Sequence, residues 1–192
     1  MAYGFRPVQM SGSRYQTGGF VELPIEDDLI GTAIFNGGPV FYTIAAATAE
    51  TGIKANDAPT DQASALTIGV LVDARWVNSD GEQKWGQHYD GASTNETGTA
   101  YGFVVPVEGT VFSIVGNLAW DRKFIGFESL VTGSGGDATT GNSSLSLLQV
   151  TSDATNACLI PIGVLENGNE TTATPDVLVR FAAAGIQTKP LI

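Results

Sequence analysis

A chain of 192 residues with 43% hydrophobic residues is long enough for one domain with a true core, while its 15% of charged residues falls well below the usual quarter. The net charge of −11 repels phosphate backbones and anionic lipid, which argues against nucleic acid and membrane as partners. One cysteine, Cys158, excludes an intrachain disulfide, and a single histidine, His88, leaves little material for His-based catalysis or a zinc site.

Residues 1–20 stand apart from the rest of the chain. They hold Arg6 and Arg14 and no acid, contributing +2 and leaving −13 for the remainder. Tyr3, Phe5, Tyr15 and Phe20 follow no helical or strand period, and Gly4, Pro7, Gly12, Gly18 and Gly19 interrupt the stretch. The composition predicts an extended N-terminal arm that becomes ordered on a neighbouring subunit or larger assembly; the alternative is an N-terminal strand packed on its own domain. In the arm reading Tyr3, Phe5, Arg6, Pro7, Arg14 and Tyr15 bind the partner, and deleting Met1–Gly19 leaves a folded body. The stretch lacks the apolar core of a signal peptide, so synthesis and residence in a host cytoplasm are expected.

The body, 21–192, reads as one β-rich domain. Val21, Leu23 and Ile25 alternate with Glu22, Pro24 and Glu26, and Glu26, Asp27 and Asp28 form an acidic corner. Asn36-Gly37-Gly38 between apolar runs predicts a hairpin. The Ala-rich stretch 45–65 reads as a surface excursion, with at most one helical turn over Ala45–Glu50. Leu66–Trp76 carries the strongest strand signal, with Ile68, Val70 and Val72 on one face and Gly69 marking a bulge or close backbone approach. Residues 77–99 form an irregular hairpin and loop. Ala100–Val107 and Thr110–Val115 flank Glu108-Gly109 as a second hairpin candidate, with Pro106 pushing its strand towards an edge. Residues 131–144 are a Gly/Thr/Ser loop, and 166–175 another polar loop. Strands at Leu145–Val150, Cys158–Leu165 and Asp176–Ala182 complete the body; in the last, Val177, Val179 and Phe181 share a face opposite Leu178 and Arg180. The expected fold is all-β: a sandwich or barrel of about nine to ten short antiparallel strands.

Catalytic patterns are missing. No nucleophile elbow surrounds a serine near His88, and Gly133-Ser134-Gly135-Gly136 lacks the Lys of a phosphate loop. Glu26, Asp27, Asp28 and Asp73 contain no pair picked out by spacing for glycoside hydrolysis, and Asp90–Glu96 lacks the ligand alternation of a calcium loop. The chain is therefore read as a non-enzyme without cofactor or metal. Its aromatics weigh towards binding: Trp76, Trp85, Tyr89, Tyr101 and Trp120 are many for strand ends and loops, half of them expected in the core and the rest as interface anchors.

Five stretches together carry a family likeness: the opening AYGFRPV, then LIGTAIFNGGPVFYT, ALTIGVLVDARWVN and AYGFVVPVEGTVFSIVG, and finally TGSGGDATTGNSSLSLLQV with CLIPIGVLENGNETTATPDVLVRF. In order and spacing they resemble the head decoration, or cement, proteins of tailed bacteriophages. Val105-Pro106-Val107 stands where that family carries an acidic Asp-Pro pattern. The resemblance implies a virion protein on the outer surface of an icosahedral head, bound to the major capsid protein, bridging neighbouring subunits and stabilising the shell. It implies self-association as a homotrimer at local threefold axes. Two other classes fit the composition: a phage tail or fibre-associated β protein, and a carbohydrate-binding or hydrolytic β-sandwich using Trp85, Tyr89 or Trp120 as a sugar platform.

Overall fold

The structure, a computed structural model, describes residues 2–10, 19–26, 32–43, 52–55, 67–91, 100–149, 158–165 and 174–182. Its strands run in chain order as β1 (Arg6–Met10), β2 (Val21–Pro24), β3 (Pro39–Thr43), β4 (Gly52–Ala55), β5 (Gly69–Val77), β6 (Gln83–Gly86) and β7 (Ala100–Pro106). There follow β8 (Thr110–Val115), β9 (Leu130–Thr132), β10 (Gly136–Asp137), β11 (Asn142–Ser143), β12 (Ser146–Leu148), β13 (Leu159–Val164) and β14 (Asp176–Phe181), with a short 3-10 helix at Arg122–Phe124. The fold is an all-β sandwich. The fourteen described strands exceed the expected nine to ten because several are pieces of two to four residues within segments read as loops.

Two sheets make the sandwich. One has four strands in the order β1-β8-β14-β13; the other has the order β2-β7-β5-β3-β4, with β6 paired to β5. All the pairings are antiparallel. The larger sheet curls until Ile25, just past β2, bridges Ile53 of β4 in parallel, so its two edges meet. Curling gives the sheet an inside, lined by Ile34, Val40, Ile53, Leu71, Trp76 and Tyr89. The outside of this barrel-like sheet contributes Val70, Val105 and Val107 to a second core, shared with Phe112, Ile114, Leu159, Val177, Val179 and Phe181 of the four-stranded sheet. The alternation expected for the last strand is therefore observed.

A bulge in β5 explains how one strand serves both cores. Register shifts between Leu71 and Asp73, so Leu71 and then Ala74 and Trp76 all point into the barrel although their numbers differ in parity. Gly69 lies two residues before it and marks a close approach instead: a Cβ there would meet the Val105 carbonyl oxygen at 2.7 Å and collide with Val104.

Residues 2–10 of the expected arm lie on their own domain, as in the packed-strand alternative, while 11–18 lie outside the described residues. β1 pairs antiparallel with β8 as an edge strand. Phe5 is 1% exposed and packs against Phe112 (6.0 Å, 79°) and Phe181 (5.2 Å, 42°). Gly4 adopts φ 68°, and a Cβ there would strike Gly37 and Ser143. The physical reason is available area: a ring too apolar to leave in water finds a slot in its own domain, worth about 1.5–3 kcal/mol.

Other expectations are corrected by pairing. Ile34 bridges Tyr89 and Asn36 bridges Asn142, so the Asn36–Gly38 turn does not close a hairpin onto β3. β7 and β8, separated by the Glu108–Gly109 turn, lie in different sheets, because β7 is already flanked by β2 and β5. That turn is a corner between layers. Pro106 does not mark an edge; it is the last residue of a central strand, where a missing N–H is tolerated. Within 45–65, Gly52 and Ile53 are buried in β4, and the 131–144 stretch folds into the β10–β11 pair. The helical turn expected at Ala45–Glu50 lies outside the described residues.

Candidate binding surfaces

The first surface is the outer face of the four-stranded sheet. The register sets Arg6 beside Ser113, Ser113 beside Leu178, and Arg180 beside Ile160, all opposite the core residues Phe112, Val177 and Val179. Tyr3 anchors this face: its hydroxyl donates to Asp176 Oδ1 at 2.5 Å, and the Arg6 guanidinium sits 3.7 Å over its ring. Burial, and then the hydrogen bond to Asp176, push the Tyr3 phenol up to about 12. Arg6 and Arg180 are exposed, giving a cationic spot on an acidic protein.

Of the six residues expected to bind a partner, Tyr3 and Arg6 meet on this face. Pro7 is exposed on β1, Phe5 belongs to the core, and Arg14 and Tyr15 lie outside the described residues. Val8 (52% exposed) and Ile162 (40%) bulge from the two outer strands of the same sheet.

The second surface is a shelf of aromatic rings on the outside of the curled sheet. Glu22 pairs with Phe103 and Phe103 with Asp73, while Arg75 lies between Tyr101 and Trp85. Trp85 stacks on Phe103 (5.8 Å, 15°), and Phe20 meets Phe103 in a T-shaped contact (5.3 Å, 89°). Arg75 lies 4.4 Å over Tyr101, and its Nε–H donates to Glu22 Oε1 at 2.5 Å. Trp85 is 62% exposed and Phe20 50%. Trp76, Tyr89 and Trp120, candidates on the same footing from sequence, are all buried. Phe20, Phe103, Arg75 and Glu22 were missed as site residues. The alternation Tyr101-Gly102-Phe103 held the signal, because it places both rings on one face.

The acidic corner is also corrected at Glu26, which is buried and pairs with Lys54 at 2.7 Å rather than standing in solvent. Asp27 and Asp28 lie outside the described residues. Asp73 accepts from the Ala74 N–H at the β5 bulge. His88 stacks on Phe35 (5.7 Å, 9°), and burial pushes the Cys158 thiol up to about 12, away from a reactive thiolate. Among the described residues, no group of three His, Cys, Asp or Glu side chains is placed to hold a metal, and no helix is long and apolar enough to cross a membrane. No family model, curated protein or solved structure matches the chain.

Proposed function

We propose that this chain is a virion structural protein: a decoration protein that binds the major capsid protein on the outside of a phage head, bridges neighbouring subunits and stabilises the shell. The observation that carries the reading is the outer face of the four-stranded sheet. There Arg6 and Arg180 stand on hydrogen-bonded strands and Tyr3, just before β1, is held by Asp176 and Arg6, a cationic, partly apolar contact area on a chain of net charge −11. A fixed face loses less entropy on docking than a free arm. Weak contacts repeated over many copies add up through avidity. The sequence likeness to phage decoration proteins points the same way, and self-association as a homotrimer belongs to the same proposal.

The test uses charge reversal rather than removal of the first nineteen residues, because removal takes Phe5 out of the core. Purified protein is sized by light scattering, mixed with undecorated expanded shells and sedimented. The wild type is expected to pellet at a fixed ratio to capsid subunits, and Arg6→Glu/Arg180→Glu to stay in the supernatant with its melting temperature unchanged. Wild-type protein that remains in the supernatant overturns the reading.

A further inference from the structure

The aromatic shelf has a different character from the Tyr3–Arg6–Arg180 face. We propose that it is a binding site for a short neutral oligosaccharide, with one hexopyranose ring lying on the open face of the Trp85 indole. This goes beyond the capsid reading and does not depend on it.

Three observations carry it. The first is flatness. The Trp85 indole lies nearly parallel to the Phe103 ring, at 15°, and stacks on it, which holds the indole flat with 62% of the residue open, while Phe20 stands perpendicular to Phe103. The C–H face of a pyranose, with its small positive partial charge, matches the negative face of a π system. One indole face held flat by the ring stacked on it seats one such ring.

The second is charge. Arg75 and Glu22 neutralise each other at the rim, with side chains 30% and 40% exposed. Only the Nε–H of Arg75 is used in that bond. The guanidinium has four further N–H donors, and the carboxylate a second oxygen, suited to hydroxyl groups on a ligand. With Asp73 beside Phe103 the rim keeps a further carboxylate, and on a chain of net charge −11 this disfavours sulfated, sialylated or uronic sugars and nucleic acid.

The third is area. With Trp85 62% and Phe20 50% exposed, the open surface of these two residues amounts to about 250 Å². A stable contact between protein copies needs roughly 800 Å² on each side. The shelf matches a small ligand.

Trp85 also supplies the readout. The chain has three tryptophans, and Trp76 and Trp120 are buried, so exposed-indole fluorescence and acrylamide quenching report Trp85 alone. The full chain is titrated with cellohexaose, maltohexaose, mannohexaose and chitohexaose, with polygalacturonate as the acidic control. Calorimetry follows Trp85→Ala and Trp85→Phe. The expected result is a saturable blue shift and quenching protection with at least one neutral hexaose. Affinity falls at least tenfold in Trp85→Ala and less in Trp85→Phe, polygalacturonate does not bind, and Arg6→Glu/Arg180→Glu binds sugar normally. Absence of binding across the panel, or undiminished binding by Trp85→Ala, overturns the proposal. So does a Trp85→Ala chain that loses shell pelleting when the wild type binds no sugar, because the shelf is then a protein contact.

Discussion

Two aromatic triads of similar composition meet opposite fates in this molecule. Phe5, Phe112 and Phe181 interlock at tilted and edge-on angles inside the sandwich, with exposures of 1%, 0% and 5%. Phe20, Phe103 and Trp85 meet in one edge-on and one stacked contact on the outside of the curled sheet, yet Trp85 and Phe20 stay half open to water or more. Ring chemistry is the same in both; what differs is whether a second layer lies above. The first triad lies between the four-stranded sheet that carries Phe112 and Phe181 and the curled sheet packed against it, while among the described residues no second layer lies over Trp85 and Phe20. Rings with a layer above them hold the fold together. Rings without one are free to meet a ligand.

The contrast breaks most visibly at Phe5. Phe5→Ala empties a slot between two rings and is expected to destabilise the fold by about 3–4 kcal/mol. Trp85→Ala is expected to change stability by about 0.5 kcal/mol or less. Urea unfolding of the two variants measures both, and equal losses would dissolve the distinction between the triads.

The next effect concerns the sheet beneath the shelf. Lys54 and Glu26 pair where the curled sheet meets itself, next to the Ile25–Ile53 bridge. Lys54→Met leaves a buried carboxylate without its cation and is expected to lose about 2 kcal/mol, below the full buried-pair penalty because Lys54 is partly exposed. Hydrogen exchange should then rise in β2 and β4 before it rises in β14. Uniform acceleration would show that the seam is not a separate weak point.

The smallest effect is a pH dependence at Tyr3. Its phenol is raised to about 12 in the folded chain, against 10.0 for the free group. The neutral form is therefore the one favoured by folding. That stabilisation is complete below pH 10, falls as the unfolded chain ionises, and is gone once pH passes about 12. Solvent screening at this half-buried ring limits it to about 1 kcal/mol. Comparing urea midpoints at pH 9 and 11.5 for wild type and Tyr3→Phe isolates it, with the larger alkaline loss expected in the wild type.

Much of the body was legible because β structure writes its faces into a two-residue period. Val177, Val179 and Phe181 separate from Leu178 and Arg180, and Leu23 and Ile25 separate from Glu22, as the pattern requires. The turn after β5 follows equally local chemistry, the Asn78 side chain accepting from the Asp80 and Glu82 N–H groups. The period says that a residue belongs to a face without saying what that face meets. Trp76 and Trp85 looked alike in sequence, yet the β5 bulge turns Trp76 inward, while Trp85 on β6 falls outside the covering sheet.

By itself the sequence determined the all-β class and the main strands, because these depend on composition and local period. Only the tertiary structure decided that residues 2–10 complete their own sheet, that β7 and β8 part into different layers, and that one of two aromatic triads stays open. Those outcomes depend on which strand edges are already paired and which surfaces are already covered. Pairing and covering join residues as far apart as Tyr3 and Asp176, a distance over which local sequence carries no information.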